Sequence, residues 1–145
     1  MRRKAIPRHL RRLVRQRAHC RCEYCQHPDA YSSAPYACDH PLPHVGGAGD
    51  SLDDLAWSCP ACNGHKASKT HAPDPKTKRL VPLFNPRLQK WSRHFAWSED
   101  SRFVVGLTAT GRATVEALCL NSEELVNLRE VLIFAGKHPP QSSAE

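Results

Sequence analysis

The sequence contains no long apolar run. Nowhere do 18 apolar residues follow one another, so we expect no membrane-spanning helix. The start, Met1–Lys4, is basic like that of a signal peptide, but arginines interrupt every apolar stretch that follows it. The sequence also lacks an internal repeat. The absence of apolar runs favours a soluble, intracellular protein that is not associated with membranes, and we expect a cytoplasmic location.

An even number of cysteines, which a fully paired disulfide framework needs, is also absent. The chain has 145 residues and 7 cysteines, and some of the cysteines fall in Cys-x-x-Cys pairs. This usage favours a reducing compartment and metal binding over disulfides. A chain of this length fits one domain, or a compact core with short extensions, and a core of that size often depends on a crosslink such as a bound metal.

Acidic residues are in the minority. Lys and Arg number 21 against 14 Asp and Glu, which gives a formal net charge of +7. An excess of positive charge favours polyanionic partners through counterion release and electrostatic steering. Charge alone does not separate a nucleic acid from an acidic membrane or an acidic protein.

Two Cys-x-x-Cys pairs, Cys22/Cys25 and Cys59/Cys62, have the spacing of a four-thiolate zinc site. A redox site would need only one pair, and isolated buried cysteines would rarely fall in two matched pairs. We therefore predict a structural zinc ion that ties two distant segments together. Residues 26–58 separate the pairs, enough for a substantial insert. Three cysteines remain, which we expect to be small buried residues, with the first close enough to the site to compete for zinc: Cys20, Cys38 and Cys119.

Short segments of regular structure are predicted around these pairs. Apolar residues recur at helical spacing from about Pro7 to Ala18, and arginines fill the rest of that helix as either a solvated face or a DNA-backbone contact. Tyr36–His40 and Leu55–Ser58 are predicted strands, and a helix is expected to begin at Pro60 and run towards Lys69. The segment between His71 and Pro82 is expected to be extended.

The C-terminal third has apolar content of its own. An aromatic-rich helix is predicted after Pro86, a strand at Arg102–Leu107, and a strand or the start of a helix at Thr114–Leu118. Asn121 or Ser122 is expected to cap a last helix. Its predicted buried face consists of Leu125, Leu128, Leu132 and Ile133.

The insert and its flanks contain an ordered set of further motifs. In chain order these are Cys22-x-x-Cys25, Asp39-His40-Pro41-Leu42-Pro43, Gly46-Gly47, Asp54-Leu55 and Cys59-x-x-Cys62-Asn63 followed by Lys66. Together they resemble the HNH endonuclease family over roughly residues 11–69. The resemblance implies an α+β fold with a ββα-metal (HNH, or His-Me finger) core and structural zinc, an N-terminal basic helix and a small α/β C-terminal extension.

The resemblance also implies catalytic roles. His40 is expected to be the general base that takes a proton from water. Asp39 and Asn63 are expected to hold a divalent cation, and a site with two protein oxygen ligands suits Mg²⁺ or Mn²⁺. The family usually has Asn where this chain has Asp54, which could hold the loop that carries the base or orient the imidazole of His40. An ionised aspartate accepts hydrogen bonds but cannot donate them, so this difference could weaken catalysis.

The function that the resemblance implies is that of an endonuclease that hydrolyses phosphodiester bonds in double-stranded DNA. Three basic residues are predicted to contact DNA phosphate: Lys66, Lys69 and Arg87. We expect a nuclease core at residues 1–72, an extension packed on it at 73–138 and a disordered tail at 139–145. Two alternatives stay open, a catalytically weakened zinc-containing DNA-binding module and a zinc-mediated protein-interaction domain.

Overall fold

The structure, a computed structural model, describes residues 5–42 and 51–141. The helices within these residues are α1 (Arg8–Arg17), α2 (Pro60–Lys66), α3 (Trp91–His94), α4 (Ala109–Ala117) and α5 (Glu123–Phe134). The strands are β1 (Ala37–Asp39), β2 (Ala56–Ser58), β3 (His71–Pro73), β4 (Leu80–Pro82), β5 (Phe95–Trp97) and β6 (Val104–Gly106). The strands form antiparallel pairs, β1 with β2, β3 with β4 and β5 with β6. The fold is therefore α+β, as predicted, and no helix in the described ranges is long and apolar enough to span a membrane.

A ββα unit lies at the centre of the motif region. Asp39 at the end of β1 pairs with Ala56 at the start of β2. Cys59 follows β2 and caps α2, with Pro60 in the first helical position, where its missing N–H is not needed. The helix ends at Lys66 because Ala67 takes a positive φ of 48°, so it is shorter than the predicted run towards Lys69.

Three arginines of helix α1 bind other segments of the chain. Arg11 donates to the carbonyl of Tyr36 at 3.0 Å and Arg15 pairs with Asp29 at 2.7 Å. Arg17 donates to the carbonyl of Leu52, the first residue of the 3-10 turn Leu52–Asp54, at 2.6 Å, and to that of Leu55, the residue after the turn, at 2.5 Å. Val14 lies between Arg11 and Arg17 around the helix and is fully buried. These three arginines therefore bind protein. For the exposed Arg8 and Arg12, both interpretations, a solvated face and a DNA-backbone contact, stay open.

One hydrophobic cluster spans the segments before and after residue 72. Phe84 contacts Tyr24 edge-on, with ring centroids 6.5 Å apart, and also packs against Phe95 at 5.2 Å. The indole N–H of Trp91 donates to the carbonyl of Tyr24 at 2.9 Å. The boundary that we expected between residues 72 and 73 falls inside β3. Of the expected tail, residues 142–145 lie outside the described ranges.

An ion pair between a buried carboxylate and a partly exposed arginine attaches α4 to the β3–β4 hairpin. Asp74 accepts two hydrogen bonds from the guanidinium of Arg112, both at 2.9 Å. Lys76 N and the hydroxyl of Thr77 donate to the same carboxylate. These donors, Arg112 first, hold the pKa of Asp74 well below its usual range, so the pair stays ionised through the physiological range.

Close packing of α4 gives a first testable prediction. A Cβ at Gly111 would lie 2.1 Å from the carbonyl oxygen of His94, so Gly111→Ala requires a backbone shift. We expect it to lower the free energy of unfolding by about 1–3 kcal/mol, measured by chemical or thermal denaturation. Gly64→Ala is the control, since nothing in the described structure lies within 4 Å of its Cβ. That helical substitution should leave stability unchanged or raise it by up to about 1 kcal/mol, and equal effects at both sites would contradict the packing described.

Candidate metal centres and catalytic site

The four predicted zinc ligands converge. The sulfur atoms of Cys22, Cys25, Cys59 and Cys62 all lie within 4.8 Å of one another, and all four residues are buried. The sulfurs of Cys25 and Cys59 are 3.7 Å apart. Four thiolates in tetrahedral coordination at a Zn–S distance of about 2.3 Å have sulfurs about 3.8 Å apart, so this cluster fits a structural zinc ion.

Backbone amides shape both halves of the cluster. The sulfur of Cys22 accepts from the N–H groups of Tyr24 and Cys25, each at 3.4 Å. The sulfur of Cys59 accepts from Cys62 N at 3.3 Å and so caps α2. The ion would therefore fasten the first turn of α2 to the turn that contains Tyr24.

The remaining cysteines lie outside this four-sulfur group. Cys20, Cys38 and Cys119 are each partly exposed, although we expected small buried residues. Among the described residues the metal-ligating group contains Cys22 and not Cys20, so competition by Cys20 for zinc has no support in the geometry.

Asp39 ends β1 with a buried carboxylate that has two protein partners. The hydroxyl of Tyr24 donates to Oδ2 at 2.7 Å, and the ammonium of Lys66 lies 3.3 Å from Oδ2 and 3.5 Å from Oδ1. Burial and the neighbouring carboxylate raise the pKa of Tyr24 well above its ordinary value, so the phenol stays protonated and can donate. Tyr24 thus connects the zinc cluster to Asp39, a contact that the sequence analysis missed.

His40 and Asn63 flank this carboxylate along the chain. His40 directly follows β1 and Asn63 lies in α2, one residue after the last zinc ligand. Both are partly exposed, whereas Asp39 is only 6% exposed. Helix α2, which carries Asn63, packs against β1, which ends at Asp39 and is followed by His40.

Residues 22–69 match the family model described as HNH endonuclease. The chain carries an HNH domain. The match begins at the first zinc ligand, Cys22, and includes Asp39, His40, Asn63 and the other three cysteines. It supports a nuclease-type function and implies a nucleic-acid substrate. Neither the search of curated proteins nor the search of solved structures found a match.

Asp54 lies in the HNH domain at the end of the Leu52–Asp54 turn. Its exposed carboxylate accepts a hydrogen bond from the hydroxyl of Ser51 at 2.8 Å. The motif residues Gly46-Gly47 fall at positions 43–50, which lie outside the described ranges. Arg17, which the sequence analysis did not single out, holds the same turn through the carbonyls of Leu52 and Leu55.

The predicted DNA contacts of the HNH domain and its extension have different surroundings. Lys66 is 1% exposed and also donates to the carbonyl of His40 at 3.0 Å. Arg87 pairs with Glu23 and donates to the carbonyl of Leu55 at 3.1 Å, which leaves its side chain 14% exposed. We therefore revise the predicted phosphate contacts of Lys66 and Arg87, because their charged groups already bind protein. Lys69 is exposed, and although its ammonium donates to the carbonyl of His65 at 3.3 Å, an ammonium has three donors and can also reach phosphate.

Proposed function

We propose that the protein is a metal-dependent HNH endonuclease that hydrolyses phosphodiester bonds in double-stranded DNA. The observation that carries the proposal is the placement of Asp39 and His40 at the end of β1, against α2, within the matched HNH segment. A zinc-fitting cluster ties the first turn of α2 to the turn that contains Tyr24. In this proposal the protein acts in the cytoplasm, where zinc-binding thiols stay reduced.

His40 acts as the general base. A neutral imidazole near pH 7 can take a proton from an attacking water molecule, and partial exposure gives water access to it. Asp39 and Asn63 would hold Mg²⁺ or Mn²⁺ through one carboxylate and one amide oxygen, leaving the other positions to water and phosphate. When bound, such an ion would supply positive charge to stabilise the negative charge that develops on the phosphate and on the departing 3′ oxygen.

The buried environment of Asp39 fits a cation ligand. A carboxylate has about four acceptor positions, and Tyr24 and Lys66 occupy mainly Oδ2. Within the described residues Oδ1 contacts only Lys66, at 3.5 Å, and so keeps acceptor capacity for a cation.

A plasmid-nicking assay tests the proposal. Purified, zinc-loaded protein should convert supercoiled plasmid to nicked or linear DNA when Mg²⁺ or Mn²⁺ is added, and omission of the added cation should stop the reaction. Retained DNA binding without cleavage under any of these conditions would instead favour the zinc-containing DNA-binding module. Asp54→Asn, assayed in parallel, would then show whether the aspartate at this position is the cause.

Lys69 is our candidate for a phosphate contact. The net charge of +7 and the exposed position of this lysine just beyond α2 support the assignment. Lys69→Met should weaken DNA binding regardless of sequence and reduce the slope of log K against log salt by about one unit. Lys137→Met, at an exposed position beyond α5, serves as the control and should leave the slope unchanged. An unchanged slope for Lys69→Met would remove Lys69 from the interface.

A further inference from the structure

Lys66 has a buried ammonium group. The side chain of Lys66 is 2% exposed and that of Asp39 is 5% exposed. Burying an ammonium away from water is costly unless charged and hydrogen-bonding partners replace the water. Lys66 has both, a carboxylate at 3.3 Å and the carbonyl of His40 at 3.0 Å.

The contacts of Lys66 join two components of the proposed active site. Its ammonium touches the side chain of the proposed cation ligand, Asp39, and the main chain of the proposed base, His40. Because α2 also carries Asn63, one short helix supplies a cation ligand and the group that fixes the other two residues. Both partners of the buried ammonium therefore belong to residues of the proposed site.

We propose that Lys66 is a positioning residue of the nuclease site. Its ammonium holds the main chain of His40 and is the permanent counter-charge of Asp39, the carboxylate that would also bind the divalent cation. The inference rests on the proposed function. Lys66 does not bind DNA in this account, since its ammonium is enclosed by the protein.

Two opposite effects follow from this arrangement. The positive charge of Lys66 lies against the carboxylate that a divalent cation would share, so the ammonium repels that cation and its removal should tighten cation binding. The same removal takes away the contact of Lys66 with the carbonyl of His40, so the base is held less firmly and turnover should fall. Loss of a DNA contact would change neither cation affinity nor the rate at saturating DNA.

The test compares zinc-loaded, full-length Lys66→Met and Lys66→Arg with the unmodified protein at pH 8. Mn²⁺ binding is measured by electron paramagnetic resonance in the absence of DNA. The rate of plasmid cleavage is measured under single-turnover conditions at saturating Mn²⁺ and saturating protein. We expect Lys66→Met to lower the Kd for Mn²⁺ by at least about tenfold. We expect its cleavage rate to fall by at least about tenfold. Lys66→Arg, which keeps the charge, should retain the unmodified Kd within about threefold.

Lys69→Met is the matched control from the neighbouring surface. It should weaken DNA binding and leave the Kd for Mn²⁺ unchanged, since Lys69 is exposed and donates to the carbonyl of His65. An unchanged or weaker Mn²⁺ affinity in zinc-retaining Lys66→Met would overturn the proposal. If Lys66→Met loses zinc, Lys66→Gln takes its place with the same expected changes. Loss of zinc from both variants would also overturn the proposal, because a structural role would then explain the contacts.

Failure of this inference can be told from failure of the proposed function. If Lys66→Met binds Mn²⁺ more tightly but neither it nor the unmodified protein cuts DNA, the role of Lys66 as the counter-charge of Asp39 is supported and the nuclease function is contradicted. Normal Mn²⁺ binding and normal cleavage in Lys66→Met contradicts the positioning role and leaves the nuclease in place.

Discussion

His40→Ala should reduce metal-dependent DNA cleavage by at least about a hundredfold, the scale on which general-base catalysis contributes. The physical reason is that alanine removes the imidazole that directly follows β1, the group proposed to take a proton from the attacking water. Cleavage is measured with supercoiled plasmid under single-turnover conditions at saturating Mn²⁺. The base is removed without touching the zinc ligands, so zinc content and melting temperature should stay those of the unmodified protein.

The control for this variant is His71→Ala. His71 is exposed in β3, pairs with the hydroxyl of Thr70 and lies outside the matched segment. It should cleave at the unmodified rate. Cleavage by His40→Ala at that same rate would exclude His40 as the base.

Cys59→Ala should unfold the HNH domain or leave it grossly destabilised. Cys59 supplies one of four buried sulfurs and caps α2, so its loss removes a zinc ligand and a helix cap together. Structural zinc sites contribute apparent free energies of about 10–16 kcal/mol, which matches or exceeds the about 5–15 kcal/mol by which folded proteins are stable. Zinc content by elemental analysis and thermal unfolding by circular dichroism would measure the effect.

Cys119→Ala is the matched control for the zinc prediction. Cys119 is partly exposed and lies outside the four-sulfur group, so this variant should retain zinc and lose no more than about 1 kcal/mol of stability. A Cys59→Ala protein with normal melting and normal cleavage would contradict a structural zinc ion.

Local signals predicted the centre of the molecule. The spacing of the two cysteine pairs is enough to place four sulfurs around one ion, and Pro60 after Cys59 marks the start of α2. β1 and β2 were recognised from short β-rich runs on either side of the loop. Nothing local, however, indicated that Lys66 is buried, because its partner Asp39 lies 27 residues earlier in the chain.

Tertiary contacts decided the parts of the extension that the sequence did not predict. Leu128 was expected in the buried face of α5 but is 39% exposed, whereas its neighbour Arg129 is 3% exposed. Arg129 is buried because its guanidinium donates to the carbonyls of Arg102 and Leu120 and lies over the ring of Trp97. These partners are distant in sequence, so helical periodicity could not reveal them.

The aromatic segment after Pro86 shows the same dependence on distant partners. Its spacing predicted a helix, but α3 covers only Trp91–His94 and the chain then becomes β5. Strand β5 forms because β6 pairs with it, Phe95 opposite Gly106 and Trp97 opposite Val104. Pairing with another strand outweighed local helical spacing.

Anomalous diffraction from crystals of zinc-loaded protein soaked in Mn²⁺ would test the two-metal geometry most directly. The account predicts one zinc peak about 2.3 Å from the sulfurs of Cys22, Cys25, Cys59 and Cys62. It predicts a separate manganese peak bound by Asp39 and Asn63, with the imidazole of His40 facing the water molecules beside it. A structure in which Asp39 and Asn63 cannot reach the same ion, or in which His40 faces away from it, would contradict the account.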